Sequence, residues 1–248
     1  AAGYNVTVTA ENYDFNIYDG QSASGTKLGS LNGGGDSITV VCTSGYLYFS
    51  TSAAYGSITS VTGGVTIVND YTVKVTGDGT VSANYMCMIE GTQITLADGT
   101  TKSIEDITYD DELLVWNFYD GKFDKAKPSW IKVEETAPRY NLVKFSNGSE
   151  VGFVGAGGEN GYHRIFNKEA KAFTHTGVKE TPNGTITFAQ DGTFPTVISQ
   201  EVVEKEVKFY NVITENHYNI FANGILTSCR LSNKYRIENM RYIGEKLI

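Results

Sequence analysis

Apolar residues in this chain recur at every second position, in short runs closed by glycine turns, and hardly anywhere at the spacing of a helix. Residues 4–10 (YNVTVTA), 37–42 (SITVVC) and 71–76 (YTVKVT) largely alternate apolar with polar side chains, the pattern of strands buried on one face. Asp19-Gly20, Gly33-Gly34-Gly35, Gly63-Gly64 and Gly77-Asp78-Gly79 fall between such runs and read as turns. Strand-like runs continue at residues 92–96, 112–116, 141–145, 207–213 and 217–221. Two stretches read as helical: residues 103–107 as a single turn, and the tail 230–248 as one short amphipathic helix with Ile237, Met240 and Ile243 on one side. The expectation is an all-β chain, an N-terminal antiparallel β-sandwich over residues 1–86 followed by a second β-domain over 87–229.

That boundary rests on a change of habit. Up to about residue 84 the chain is poor in charge and rich in Gly, Ser, Thr and Tyr, with no His and one Cys; from Cys87 onward charge density rises and all three histidines appear. A net charge of −8 argues against a nucleic-acid or anionic-membrane binder. No apolar run reaches membrane-spanning length and no signal-peptide pattern opens the chain. It opens on Ala rather than Met, as a trimmed chain or a piece of a longer one does. Three cysteines, Cys42, Cys87 and Cys229, lie too far apart and are too odd in number for a disulfide framework, and no C-x-x-C pair is present for zinc. Cys42, within an apolar stretch, reads as a packed core thiol. His175 reads as a loop residue, and Asn223-Gly224 as a type I′ turn.

Cys87 is different because it stands where the two halves meet. A cysteine at the first position of a domain can attack the carbonyl carbon of the preceding residue through a five-membered ring, converting an amide to a thioester. Amide resonance opposes that step. A fold that promotes it must stabilise the tetrahedral oxyanion and protonate the departing nitrogen.

The residues after Cys87 run Gly91-Thr92-Gln93-Ile94, an Asp98-Gly99 turn, and Lys102-Ser103-Ile104-Glu105-Asp106-Ile107. This segment resembles the first block of the Hint family, the self-cleaving module shared by inteins and hedgehog proteins, and the likeness extends to Trp116. His163, in Asn160-Gly161-Tyr162-His163, is similar to the histidine of the family's second block, with Asn160 in place of its Thr. The stretch from Phe209 through Leu226 resembles the closing strands of an intein and contains His217. An intein then ends in His-Asn. This chain has Thr227-Ser228-Cys229, similar to the end of the hedgehog module.

The resemblance implies a Hint-type β-fold over 87–229 and a single-turnover cysteine autoprotease that breaks the Met86–Cys87 bond. Cys87 would be the nucleophile, His163 the proton donor to the scissile nitrogen, and Asn160 a replacement hydrogen-bonding group. Glu134 or Glu135 would be the hedgehog-like acid, and Cys229 would lie near Cys87, with a disulfide between them as a redox switch. Without the terminal Asn, splicing is not expected. The substrate is then the chain's own N-terminal segment and the acceptor water or a small nucleophile, with no cofactor and no metal. A second reading stays open, in which the Hint core is inert and the chain is structural or adhesive. The Gly/Tyr-rich first half loosely resembles phage tail or fibre domains, and that reading carries the expectation of a virion or cell-surface setting and partners.

Overall fold

A computed structural model describes residues 3–10, 14–32, 35–51, 57–69, 71–84, 87–132, 134–154 and 163–229. The expectations for Met86, for Asn160 and for a helix after Cys229 fall outside these residues. The chain divides into two compact units, Ala1–Tyr85 and Met86–Ile248. Strands dominate both, and the one helical element among the described residues is a 3-10 turn, Ile104–Asp106, inside the stretch expected to make one turn.

In the first unit, alternation becomes burial in the expected register. Tyr4–Ala10 buries Val6, Val8 and Ala10 and turns the intervening threonines outward. Seven strands share one hydrogen-bonded network, in the order Thr26–Leu31, Phe15–Asp19, Tyr46–Ser50, Thr72–Asn84, Tyr4–Ala10, Asp36–Cys42, with Ser57–Asn69 also paired to Thr72–Asn84. The long strand Thr72–Asn84 serves two neighbours in turn. Residues Thr72 to Lys74 pair with Tyr46–Ser50, and Gly79 to Ala83 pair with Tyr4–Ala10. A strand that changes partner at a bend is how one network folds into two layers. The terminal strands Thr26–Leu31 and Asp36–Cys42 come together, so that a Cβ on Gly29 would stand 3.0 Å from Ile38 Cδ1.

Two expectations are corrected here. The pairing of Tyr4–Ala10 with Thr72–Asn84 is parallel, the exception in an otherwise antiparallel sheet. Gly63-Gly64 and Gly77-Asp78-Gly79 are not turns. They lie inside the strands Ser57–Asn69 and Thr72–Asn84, facing one another across an irregularity in register. A Cβ on Gly64 would meet Gly77 Cα at 2.4 Å, and one on Gly79 would meet the Thr62 carbonyl oxygen at 2.2 Å. Glycine inside a strand marks close backbone approach and a bend, which these positions supply.

Cys42 is buried, with its Sγ 3.6 Å from Asp19 Oδ1 and 3.5 Å from the Tyr46 carbonyl oxygen. Asp19 accepts from the backbone N–H of Thr43 and Ser44 and from the Thr43 hydroxyl, tying one strand end to a turn. Burial alone would raise its carboxyl, but hydrogen bonds from Ser44 and Thr43 outweigh it and hold it at about 2.

The second unit is built on two six-stranded sheets. One runs Glu135–Ala137, Val207–Tyr210, Cys87–Ile89, Glu150–Val154, Tyr140–Phe145, Val197–Val203. The other runs Thr101–Ser103, Gln93–Thr95, Asn219–Ala222, Ile225–Ser228, Arg164–Asn167, Ala172–His175. Leu113–Asn117 pairs with Lys122–Ala126, and Pro128–Ile131 with Val212–Thr214. Trp116, Phe118, Phe166, Phe173, Phe188, Phe221 and Leu226 form an aromatic-rich core. Fully buried Asn219 fastens it by accepting from Trp116 N–H (2.7 Å) and donating to the Trp116 carbonyl (2.9 Å). Asn223 and Gly224, both at positive φ, make the two-residue turn between Asn219–Ala222 and Ile225–Ser228.

Replacing Asp19 by Ala removes the acceptor for several donors and should lower the stability of the first unit by about 1–3 kcal/mol. In the parent, a carboxyl depressed on folding contributes stability that is present above its unfolded value near about 4 and lost as pH falls toward 2. Denaturant titrations from neutral to acidic pH should therefore show a stability decline in the parent that shrinks in Asp19→Ala.

Candidate active site

Cys87 opens a three-residue strand with partners on both edges. Val154 pairs with Cys87 and Phe153 with Met88 on one side; Tyr210 pairs with Met88 and Phe209 with Ile89 on the other. Directly paired residues share a face and alternate residues change face. Cys87, Ile89, Val154 and Phe209 therefore take one face, and Met88, Phe153 and Tyr210 the opposite one. Asn211 directly follows Tyr210, where that pairing ends.

The thiol face carries charge. Glu135 pairs with Phe209 in register, and Lys132 Nζ stands 2.7 Å from Glu135 Oε1 and 5.4 Å from the Phe209 ring centroid. The Lys132 side chain is 4% exposed against 46% for Glu135. Burial pushes the Cys87 thiol far above its usual range; Lys132 opposes that rise and Glu135 adds to it. Of the two adjacent acids considered from sequence, Glu135 is the one whose charge reaches Cys87. Glu134 instead accepts from the Tyr210 hydroxyl at 2.6 Å and pairs with Lys208 at 2.9 Å.

The opposite face carries the histidine. His163, fully buried, stacks on Phe153 with ring centroids 4.5 Å apart at 17°. Neither ring nitrogen has a hydrogen-bond partner among the described residues. Burial drives the imidazole down to about 3, helped by Arg164 and His175; the Ser228 backbone pulls the other way without a well-formed hydrogen bond to the ring. His163 is thus held neutral. A buried polar group without a partner is uncommon, and this one lies beside the neighbour of the Cys87 strand. His175 is not a loop residue: it ends a strand opposite Arg164, accepts from Arg164 Nε at 3.0 Å and meets Glu180 through Nδ1 at 3.0 Å.

Cys229 is fully buried, and burial pushes its thiol up to about 12. Its N–H donates to the Tyr218 carbonyl (2.9 Å), its Sγ lies 3.9 Å from Thr214 Oγ1, and its carbonyl accepts from Asn211 Nδ2 (3.5 Å). Asn211, next after the strand that pairs with Met88 and Ile89, so bonds to the end of the closing strand. All three cysteines are free, so the expected Cys87–Cys229 disulfide is not formed in this state. Cys229 Sγ has Thr214 Oγ1 beside it, and the charges acting on Cys87 are those of Lys132 and Glu135.

His217 does not lie on a strand. Asn216, His217 and Tyr218 take φ of 56°, 56° and 46° in succession. Left-handed backbone costs a non-glycine residue about 1–2 kcal/mol, and three contacts hold this turn. Thr214 Oγ1 donates to the Asn216 carbonyl (3.0 Å), Asn219 Nδ2 to that of His217 (2.8 Å), and Cys229 N–H to that of Tyr218. The imidazole of His217 turns to Asp124, at 3.7 Å. Burial lowers it, and Asp124 and Asp120 oppose that. The turn grips Cys229 through backbone while its histidine faces the hairpin.

Sequence reasoning missed Lys132 and Asn211. Lys132 shares the parity of Trp130 in WIKV, an inward charge in an alternating run, and Asn211 interrupts the apolar run FYNVI. Both signals are visible but nonspecific. Among the described residues no cluster of His, Cys, Asp and Glu could hold a metal ion, and no helix is long and apolar enough to cross a membrane.

The chain is similar to the bacterial intein-like domain from Clostridium thermocellum, at 16% identity and a TM-score of 0.49, over 57% of this chain and 97% of that one. It is similar to the gp41-1 intein, at 14% identity and a TM-score of 0.45, over 58% of this chain and 98% of that one. It is also similar to a DnaB intein from Synechocystis, at 16% identity and a TM-score of 0.45, over 59% of this chain and 99% of that one. No family model and no curated protein matches the chain.

Because all three thiols are buried and Cys87 and Cys229 are also shifted strongly upward, the native protein should label poorly with a disulfide reagent at neutral pH. Full labelling is expected after denaturation. Rapid reaction of Cys87 in the native state would contradict the burial described here.

Proposed function

We propose that residues 87–229 are a Hint-type autoprocessing unit that breaks the Met86–Cys87 bond by an N-to-S acyl shift. The thioester then passes to water or another small nucleophile, and residues 1–86 are released. The carrying observation is the two-sided environment of the Cys87 strand. A charged pair stands on the thiol face, and a buried histidine with unpartnered nitrogens stands on the other.

In the acyl shift the S–H bond breaks, sulfur bonds to the Met86 carbonyl carbon, the C–N bond breaks, and the nitrogen of Cys87 gains a proton. The step is neutral in protons. Glu135, half-exposed on the thiol face, would carry the thiol proton out to solvent before the sulfur attacks, so that the attacking species is the preformed thiolate. His163 has to reach the backbone nitrogen rather than the thiol, so its position on the Met88 face suits a proton donor to the leaving amine. Asn160 is left with the hydrogen-bonding role at the oxyanion that the resemblance gives it. Cys229, whose carbonyl accepts from Asn211, would hold the end of the unit near its beginning.

The competing reading is an inert Hint core in a structural or adhesive protein. The observation favouring it is burial of Cys87, which keeps the nucleophile in its thiol form. Variants separate the two. Cys87→Ala should abolish cleavage at this bond, and His163→Ala should slow it roughly 10²–10⁴-fold, the usual worth of a positioned proton donor. A parent chain that stays intact with hydroxylamine would favour the inert reading.

The pH dependence is distinctive. The reacting pair is a thiolate and an imidazolium, each the minority form at neutral pH because burial raises Cys87 and lowers His163 to about 3. Raising pH multiplies the thiolate share by the factor that divides the imidazolium share. The acyl-shift rate should therefore be level from about pH 5 to about pH 9. A slope of one log per pH unit in that range would contradict this pairing of roles.

A further inference from the structure

We propose that the buried ammonium of Lys132 is a positioning charge for the sulfur of Cys87, holding the nucleophile's developing negative charge on the thiol face while Glu135 anchors the lysine. This rests on the autoprocessing reading above and adds a residue to it.

Three placements bring Lys132 to that face. Its backbone N–H donates to the carbonyl of Asn211 at 2.8 Å, and Asn211 directly follows Tyr210, which pairs with Met88 next to Cys87. Its Nζ lies over the ring of Phe209, which pairs with Ile89, and Ile89 shares a face with Cys87. It forms an ion pair with Glu135, which pairs with Phe209 in the adjacent strand. The ammonium therefore sits above the strand that presents the sulfur, shielded from water, where a charge acts over several ångströms with little screening.

Stability alone gives little reason for such a lysine. A buried ion pair seldom stabilises a fold more than apolar residues of the same volume do. A cation beside a thiol, by contrast, favours the thiolate, and burial has raised the Cys87 thiol steeply while Lys132 works against the rise. Atoms balance without Lys132 changing protonation. It neither gives nor takes a proton; it lowers the cost of the negative sulfur after the thiol proton has left and as the S–C bond forms.

The test uses the full chain with Lys132→Met and Lys132→Arg. The Met side chain keeps packing on Phe209, and half-exposed Glu135 stays solvated, so the fold should survive; Lys132→Gln replaces it in the same comparison if it does not. Two rates are read: cleavage at Met86–Cys87, and slow alkylation of Cys87 by iodoacetamide, followed by peptide mass spectrometry with Cys42 of the other unit as internal standard. Alkylation is followed in a His163→Ala background so that the chain stays whole. Loss of the charge should slow both rates at least about tenfold relative to the standard, with Arg restoring most of the loss. Unchanged Cys87 alkylation in the Met chain overturns the inference. So does slowed cleavage that Arg and Met share equally, which reduces Lys132 to packing. If the parent chain never cleaves, the autoprocessing reading fails by itself, and the alkylation ratio still decides whether Lys132 sets the charge at Cys87.

Discussion

The second unit depends on a strand of three residues, Cys87–Ile89, clamped between Glu150–Val154 and Val207–Tyr210. Both clamps come from far along the chain, so the first strand is held by non-local pairing. A backbone hydrogen-bonded on both edges and buried on both faces has little freedom. That rigidity fixes the position of the Cys87 amide, and with it the distance over which any proton donor must act. Chemistry at such a bond depends on geometry held within a fraction of an ångström, and a central strand holds it better than a loop.

The closing segment returns to that strand by polar side chains rather than by apolar packing alone. Asn211, directly after Tyr210, reaches to the carbonyl of Cys229, and Asn219 holds the backbone of Trp116 in both directions. Between them lies the left-handed turn at Asn216, His217 and Tyr218, whose strain is offset by hydrogen bonds to each of its carbonyls. Buried asparagines used this way are costly unless every bond is made. They select one register where apolar residues would tolerate several.

Much of this was legible in the sequence because strand alternation is a local property. Residues 4–10 alternate and fold as a strand with Val6, Val8 and Ala10 inward, and the strand-like run 141–145 lies within the strand Tyr140–Phe145. The Asn223-Gly224 turn was equally local, since two positive φ values in succession require that pair of residue types. What failed was non-local. The glycines at 63–64 and 77–79 look like turns one stretch at a time; only their mutual pairing shows that they let two long strands bend together. His217 continues an alternating run on paper, but Cys229 and Asn219 hold its turn in left-handed backbone. Glu134 and Glu135 are indistinguishable until the pairing of Glu135 with Phe209 assigns one of them to the thiol face. Lys132 shares the parity of Trp130, but that signal is too unspecific to mark it as a lysine that turns inward.

The thiol and imidazole are shifted in opposite directions by the same cause, exclusion of water. Each is thereby held in its uncharged form, and the proposed acyl shift would give them opposite charges to share. The most direct test of that account is the mass of the fragment released when purified protein is treated with hydroxylamine at neutral pH. The account predicts residues 1–86 ending in a hydroxamate at Met86, together with a partner beginning at Cys87, because hydroxylamine captures a thioester at that bond. A Met86–Cys87 bond left intact, with no hydroxamate at Met86, would contradict it.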